Sequence, residues 1–221
     1  MKKKVKIDKY SVYGKKRLYE ILVFPARKYM WAYDPHPGED FYMIDGNGEA
    51  LRNLAIAFAI LAEDPSKIIY FPIKKIENEE HFWDSFHLVL IRPELQFRHS
   101  EWFRLKGRLD KKHWTGKYVF PYDPQKLADY EKRIFNQWNF RYKMKQEEKN
   151  YTEEILGDVM FWVIPKNMCY FYHSDLDEVL SCHDSTARIE SWNKGYLDSE
   201  WWMEVLEEER IMRLSEKGVS G

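Results

Sequence analysis

Two thiols and two imidazoles near the C-terminus have the chemistry of zinc ligands: Cys169, His173, Cys182 and His183. Zinc requires all its ligand atoms within about 2.3 Å of one point. If residues 168–173 form a strand, Cys169 and His173 are separated by about 13 Å, and Cys182 and His183 face opposite sides of theirs. The spacing argues against a metal centre, and we expect neither a metal nor another cofactor.

If these residues form strands, strand geometry also predicts the position of the two thiols relative to each other. Residues 159–164, 168–173 and 178–183 have the composition of three closely spaced strands, an antiparallel meander. A turn centred on Asp175 and Leu176 places Cys169 opposite Cys182, where Cβ atoms are about 4.5–5.5 Å apart. We therefore predict a cross-strand pair of buried thiols, with a redox pair or a metal site as the alternatives.

Local signatures of catalysis are weak throughout the chain. His81, Asp84 and His87 do not converge on one point in either a strand or a helix. Residues 45–51 resemble a nucleotide-binding glycine loop between a strand and a helix, but Leu51 stands where the third glycine belongs. The motifs of serine hydrolases, zinc proteases and thiol redox proteins are missing. A hydrolase site assembled from dispersed His and carboxylate side chains remains an alternative.

Aromatic residues are unusually frequent, with 9 Trp, 15 Tyr and 13 Phe in 221 residues. Rings supply much apolar area with few rotatable bonds, so they anchor both cores and interfaces. We therefore expect a dense core, a protein-binding face, or both.

The clearest predicted element is a strand-helix-strand unit. A strand at 41–44 is followed by a turn, a helix over about 48–63, and a strand at 67–73. The helix is apolar on almost every side, which indicates burial on more than one face. Asp45 or Asn47 is positioned to cap its N-terminus.

The remaining predicted elements complete an α+β fold with a mixed or antiparallel sheet. We expect a single domain over 1–221, or two lobes, 1–120 and 150–221, joined by a long amphipathic helix. Its apolar stripe comprises Leu127, Tyr130, Ile134, Trp138 and Tyr142. The other predictions are a solvated N-terminal tail, strands at 18–26, 86–91 and 102–106, the amphipathic helix at about 125–149, and an acidic C-terminal helix at 198–217.

Charge and length exclude several classes of protein. The net charge of −1 provides no overall attraction for nucleic acid. The lysine-rich start is followed by polar residues rather than a signal-peptide core, and the longest apolar run, residues 55–62, is too short to span a bilayer. Two cysteines do not form a disulfide framework. We expect a cytoplasmic protein that does not enter the membrane.

One interior segment, residues 98–118, combines seven Lys or Arg with aromatic rings. Such a segment is suited to binding phosphates and unpaired bases, so nucleic-acid binding is one hypothesis. Protein binding is another, and the alternative for each tryptophan is simple core packing. The candidate partner-binding residues are Trp102, Arg104, Arg108 and Trp114, together with Trp201 and Trp202 on the predicted C-terminal helix.

Residues 46–55, the helix ending at 61–63 and the strand that follows resemble small immunity proteins of bacterial polymorphic toxin systems. The resemblance covers only residues 41–73. It implies a cytoplasmic, non-catalytic protein that occludes a cognate toxin.

The sequence thus favours a non-enzymatic protein-binding module, in the form of an immunity or inhibitor protein. The hydrolase and the nucleic-acid-binding protein are the alternatives.

Overall fold

The computed structural model describes residues 3–25, 30–33, 43–73, 86–134, 140–182 and 186–190. These residues form ten strands and five α-helices, and the predicted α+β class with a mixed sheet is confirmed. The strands are β1 (Lys3–Tyr13), β2 (Leu18–Val23), β3 (Met30–Tyr33), β4 (Met43–Asn47), β5 (Lys67–Phe71), β6 (His87–Ile91), β7 (Trp114–Tyr122), β8 (Thr152–Leu156), β9 (Val159–Val163) and β10 (Thr186–Glu190). The helices are α1 (Gly48–Glu63), α2 (Trp102–Lys106), α3 (Pro124–Ile134), α4 (Phe140–Glu148) and α5 (Lys166–Cys182).

Seven strands form one sheet in the order β7-β1-β2-β5-β6-β9-β8. The β2–β5 and β6–β9 neighbours are parallel, and the other pairs in this sheet are antiparallel. A separate antiparallel sheet has the order β10-β4-β3. The larger sheet contains strands that precede the 125–149 region and strands that follow it. The two lobes that we considered as the alternative to a single domain therefore share one sheet.

Helix α1 is the buried helix that the sequence predicts. The Asn47 side chain accepts a hydrogen bond from the Ala50 amide at 3.0 Å, and the Asp64 amide closes the last turn on the Ile60 carbonyl. Eleven of its sixteen residues are buried. The helix contacts α5, β4, β7 and β10, so it is enclosed between layers.

The predicted strand-helix-strand unit exists, but its two strands belong to different sheets. Strand β4 pairs with β3 and β10, whereas β5 pairs with β2 and β6. The residues expected to form a turn at 45–47 are instead the end of β4. Helix α1 therefore connects the small sheet to the large one.

The large sheet has an apolar core on each face. On one face, α1 and α5 pack against residues such as Leu22, Ile69 and Trp162. On the other face, residues from the 93–106 segment, including Phe97, Trp102 and Leu105, cover Ile21, Val89 and Phe161. The second cover is thin because α2 is only five residues long.

Residues 3–13 form an interior strand of this sheet, so the prediction of a solvated N-terminal tail was wrong. Strand β1 lies between β7 and β2. Its lysines interrupt an alternating pattern in which Ile7 is buried against the helical face and Val12 against the other. In the sequence, the lysines obscure the alternation of side chains between two faces that is typical of a strand. The structure shows this alternation, because residues on both faces of β1 are buried.

Two predicted elements in the middle of the chain differ from the structure. Residues 102–106 form helix α2 rather than a strand. The long amphipathic helix corresponds to α3 and α4, and residues 135–139 between them lie outside the described ranges. Leu127 on its predicted stripe is buried, whereas Tyr142 is exposed. Met144 occupies the buried position on α4.

The predicted cysteine hairpin was wrong, because residues 166–182 form helix α5. Cys169 and Cys182 are thirteen positions apart on this helix, about 20 Å along its axis at 1.5 Å per residue. Met168, Tyr172 and Leu176 are buried at a spacing of four, which is the helical period. The aromatic run at 170–172 has strand propensity, but the spacing of its buried neighbours decides for the helix.

Other predictions fall outside the described residues: the C-terminal helix with Trp201 and Trp202, and the pair His81 and Asp84. Among the helices that are described, none is both long and apolar enough to cross a membrane.

Lys67 links the sheet to the end of α1. It is 7% exposed, and its ammonium contacts Glu20 and lies 3.0 Å from Asp64 Oδ2. The hydrogen bond from Lys67 is the main cause that lowers the pKa of Glu20, and partial burial of the carboxyl opposes it. A lowered pKa in the folded state means that ionised Glu20 stabilises the fold above its ordinary pKa of 4.5. This stabilisation disappears as the pH falls through the lowered pKa.

We predict that Lys67→Met lowers the free energy of unfolding by about 1–3 kcal/mol at pH 7, because it removes the cation that Asp64 and Glu20 share and leaves Glu20 with Lys9 alone. The difference from wild type should shrink below pH 4 as Glu20 becomes protonated. Urea unfolding at pH 7 and pH 3 measures it. Lys126→Met, which removes an exposed ion pair with Glu63, is the control and should change stability by less than about 0.5 kcal/mol. Equal effects of the two variants at pH 7 would contradict this account.

A second prediction concerns the thiols. Cys169 is fully buried, and its burial raises the pKa of the thiol. In a Cys182→Ser variant, Cys169 is the sole thiol of the chain. We expect Ellman's reagent to react with it at least about 100-fold more slowly in the native protein than in urea. Rapid native labelling, or a Cys169–Cys182 disulfide in the wild-type protein by mass spectrometry, would be incompatible with helix α5.

Candidate functional site: a basic pocket at the β1–β2 hairpin

The β1–β2 hairpin places three consecutive cationic residues at its tip. Its loop, residues 14–17, is closed by a hydrogen bond from the Gly14 amide to the Arg17 carbonyl at 2.9 Å. Lys15, Lys16 and Arg17 are all exposed there. A short loop between paired strands fixes the positions of these residues relative to the sheet.

The segment at 96–101 forms the opposite wall. Gln96 follows a 3-10 turn (Pro93–Leu95) and adopts φ = 48°, the left-handed region, with its amide bonded to the Pro93 carbonyl at 3.0 Å. The chain beyond it buries Phe97 and exposes Arg98 and Ser100. This alternation turns polar side chains outward while an aromatic ring holds the segment to the sheet.

Glu101 joins the two walls. One carboxylate oxygen accepts the Lys15 amide hydrogen at 2.9 Å, and the other accepts the Tyr19 hydroxyl hydrogen at 2.9 Å. The bond from the Lys15 amide is the main cause that lowers the pKa of Glu101. The Arg17 guanidinium donates to the Leu95 carbonyl and lies 4.9 Å from the centre of the Tyr19 ring. The hairpin tip is thus fixed to the 95–101 segment at several points.

Between these walls is an open pocket of about 530 Å³, here named the hairpin pocket. It has four cationic residues and one carboxylate, so its lining is positively charged. The lining residues are Lys15, Lys16, Arg17, Tyr19, Gln96, Arg98, Ser100 and Glu101. Such a lining is suited to an anionic group.

The pocket is part of a larger surface on the same side of the sheet. Phe103 and Trp114 are 45% and 47% exposed. Arg108 donates to the Tyr13 carbonyl at 3.0 Å, and the Trp114 indole N–H donates to Asp8 at 2.8 Å. We define the basic aromatic surface as Lys15, Lys16, Arg98, Phe103, Arg104, Arg108, Lys111, Lys112 and Trp114.

The fold concentrates positive charge at this surface. Residues 3–19 contain seven Lys or Arg and one acid, and residues 98–118 contain seven Lys or Arg and two acids. The two segments together have a formal charge of +11 in a chain of net charge −1. None of the seven cationic side chains of the basic aromatic surface forms an ion pair with another described residue.

The structure separates the candidate residues that the sequence grouped together. Trp102 is fully buried in the core, where its ring centroid lies 4.9 Å from that of Tyr70, so its assignment as a partner-binding residue was wrong. Arg104, Arg108 and Trp114 do belong to one surface. Trp201 and Trp202 are outside the described residues.

Sequence reasoning missed the hairpin half of the site. The signal was present, since the first twenty residues contain eight Lys or Arg against two acids. The segment resembles a solvated tail because no local pattern shows that residues 3–19 lie beside residues 98–118. Only the pairing of β1 with β7 brings the two segments together.

The described histidines are dispersed. His87 accepts a hydrogen bond from the Ile73 amide through Nδ1 and faces Asp158 through Nε2. His99 contacts Glu154, and His113 contacts Asp110. These three histidines each contact a different carboxylate, whereas the fourth described histidine, His173, is buried on α5 and lies 2.9 Å from the Tyr122 hydroxyl through Nε2. None of the four lines the hairpin pocket. In the described part of the chain, no three His, Cys, Asp or Glu side chains are grouped as metal ligands.

Comparisons of the chain with protein-family models, with curated proteins and with solved structures find no match. The basis for a functional proposal is therefore the site itself. Its two distinctive properties are the cations that have no ion-pair partner among the described residues and the exposed rings beside them.

The hairpin pocket depends on close packing at Gly14. A Cβ atom at this position would lie 2.5 Å from Tyr19 Cε2. We predict that Gly14→Ala lowers the free energy of unfolding by about 1–3 kcal/mol, because the buried Tyr19 ring must shift. The matched control is Gly107→Ala, whose Cβ would be no closer than 3.6 Å to another atom. Urea unfolding should show little change in the control, and similar losses in both variants would contradict the described packing.

Proposed function

We propose that this protein is a non-enzymatic binding module whose basic aromatic surface docks an acidic protein. The observation that carries the proposal is the combination of seven cations outside any ion pair among the described residues with two exposed aromatic rings, Phe103 and Trp114. Protein interfaces use Arg, Tyr and Trp as anchors, and complementary charge guides the two partners together. A partner with carboxylates around an apolar patch would complement this surface.

A hydrolase is supported less well by the site. General acid-base catalysis requires a base within hydrogen-bond reach of a bound substrate. Both ring nitrogens of His87 are engaged, by a backbone amide and by Asp158. Glu101, the one carboxylate of the hairpin pocket, accepts a hydrogen bond at each of its oxygens. These groups are arranged to hold the fold together rather than to exchange protons with a ligand.

Nucleic acid is the second polyanion that this surface could attract. Two features favour protein. The surface is interrupted by the carboxylates of Glu101 and Asp110, which oppose a continuous phosphate backbone. The Trp114 indole is fixed by its bond to Asp8. A ring held in one orientation is better suited to anchor a protein partner than to stack on the bases of a nucleic acid. The test below includes nucleic acid as an explicit outcome.

The specific form that the sequence resemblance suggests is an immunity or inhibitor protein of a bacterial cytoplasm. Such a protein binds its toxin in a one-to-one complex and blocks the toxin's own site. An acidic toxin would match the positive surface, and fast association would follow from the opposite charges.

The test uses a photo-crosslinking amino acid, p-benzoylphenylalanine, placed at one of two exposed aromatic positions in the otherwise unchanged chain. Phe103 lies on the basic aromatic surface, and Tyr142, 68% exposed on α4, lies on the helical side of the sheet. We expect position 103 to yield one dominant protein adduct in host lysate and position 142 to yield none. The adduct should resist nuclease, and the captured protein should have an acidic isoelectric point.

Affinity measurements with the captured protein then locate the interaction. Trp114→Ala should weaken binding at least about tenfold, as for an interface anchor, whereas Tyr142→Ala should leave it unchanged. Nuclease-sensitive adducts at position 103 would replace the proposal with nucleic-acid binding. The same protein adducts at both positions, or equal effects of the two alanine variants, would refute it.

A further inference from the structure

We infer that the hairpin pocket is a carboxylate-binding site that receives an acidic side chain, Asp or Glu, of the docked protein. The inference rests on the proposed function and specifies what the pocket contributes to it. It assigns a ligand to a concave part of the basic aromatic surface.

Cations with no ion-pair partner line the pocket. Lys16 from the hairpin and Arg98 from the opposite wall line the same cavity, and neither forms an ion pair with another described residue. The exposed side chains of Gln96 and Ser100 add hydrogen-bond donors to the same lining. A planar carboxylate accepts such bonds through both oxygens, and a guanidinium matches it in geometry.

Glu101 does not occupy this site, although it is the obvious competitor. Its two oxygens are bonded to the Lys15 amide and to the Tyr19 hydroxyl, both of which belong to the hairpin. Arg17 is likewise engaged, since it donates to the Leu95 carbonyl. The internal contacts therefore position the walls and leave Lys16 and Arg98 for a ligand. Glu101 acts as a positioning residue.

The backbone of the pocket wall is consistent with a preformed site. Gln96 is the only non-glycine residue in the described ranges with a positive φ. Unfavourable backbone conformations persist where surrounding contacts enforce them, and they cluster at ligand sites. Here the bond to the Pro93 carbonyl and the burial of Phe97 hold the conformation that turns Arg98 toward the cavity lining.

The size of the cavity, rather than its charge, favours a protein carboxylate over a free phosphate as the occupant. Both are oxyanions, and both would contact Lys16 and Arg98. The positive lining attracts either anion, but a free phosphate is small and leaves most of the cavity unfilled. The volume of about 530 Å³ also accommodates an extended side chain with part of its backbone.

The test is an NMR titration of the isotope-labelled full chain with the acetylated, amidated peptide Glu-Glu-Glu. We expect saturable shifts of the Arg98 side-chain Nε–H and of the Gln96 and Ser100 amides. The Lys16→Ala/Arg98→Ala double variant should weaken the dissociation constant at least about tenfold. The Lys111→Ala/Lys112→Ala double variant removes the same charge from the basic aromatic surface outside the pocket, and it should retain at least half of the affinity.

Three results would overturn the inference: equal losses in the two double variants, equal shifts with the Gln-Gln-Gln peptide, or tighter binding of inorganic phosphate than of the glutamate peptide. Thermal unfolding of both double variants checks that they fold. The peptide titration is independent of the photo-crosslinking result. If a partner is captured at position 103 but its affinity is unchanged by Lys16→Ala/Arg98→Ala, the pocket assignment fails while the proposed function stands.

Discussion

Helix α1 has almost no polar face, and the fold depends on enclosing it. Eleven of its sixteen residues are buried, so only a small part of its surface is exposed to solvent. The large sheet, α5 and the small sheet together enclose it. One end of the helix is bound by polar contacts: the buried Arg92 guanidinium donates to the Leu61 carbonyl at 2.9 Å, and Lys67 contacts Asp64. To bury this helix, one face of the large sheet packs against it, and the main core lies on that face.

The other face of the sheet is left with a thin cover, and the candidate site is a consequence of that cover. A short segment can bury a few large rings, such as Phe97 and Trp102, but it has no second layer to bury its remaining side chains. Those side chains are largely Arg and Lys, and they lie beside the cationic tip of the β1–β2 hairpin. Glu101 then fixes the hairpin to the segment and creates a concave, positively charged surface.

The sequence was sufficient for the parts of the fold that rest on local patterns. The largely apolar run in α1 predicts its burial, and the sequence narrows the cap to Asp45 or Asn47, of which the structure shows Asn47. Residues 168–182 were misassigned because aromatic side chains suit strands and helices alike, so only the spacing of Met168, Tyr172 and Leu176 decides. Only half of the site is predictable from the sequence. Arg104, Arg108 and Trp114 share one basic segment, whereas Lys16 is brought beside them by a strand pairing between residues about a hundred positions apart.

The most direct test of the central claim, that the basic aromatic surface docks an acidic protein, is hydrogen-deuterium exchange of the chain with and without its captured partner. The account predicts slower exchange in the complex at residues 13–18 and 96–114, with no change in α4. It also predicts that raising the salt concentration weakens this protection, because exposed opposite charges are screened. Protection confined to α4 or other residues on the helical side of the sheet would contradict the account.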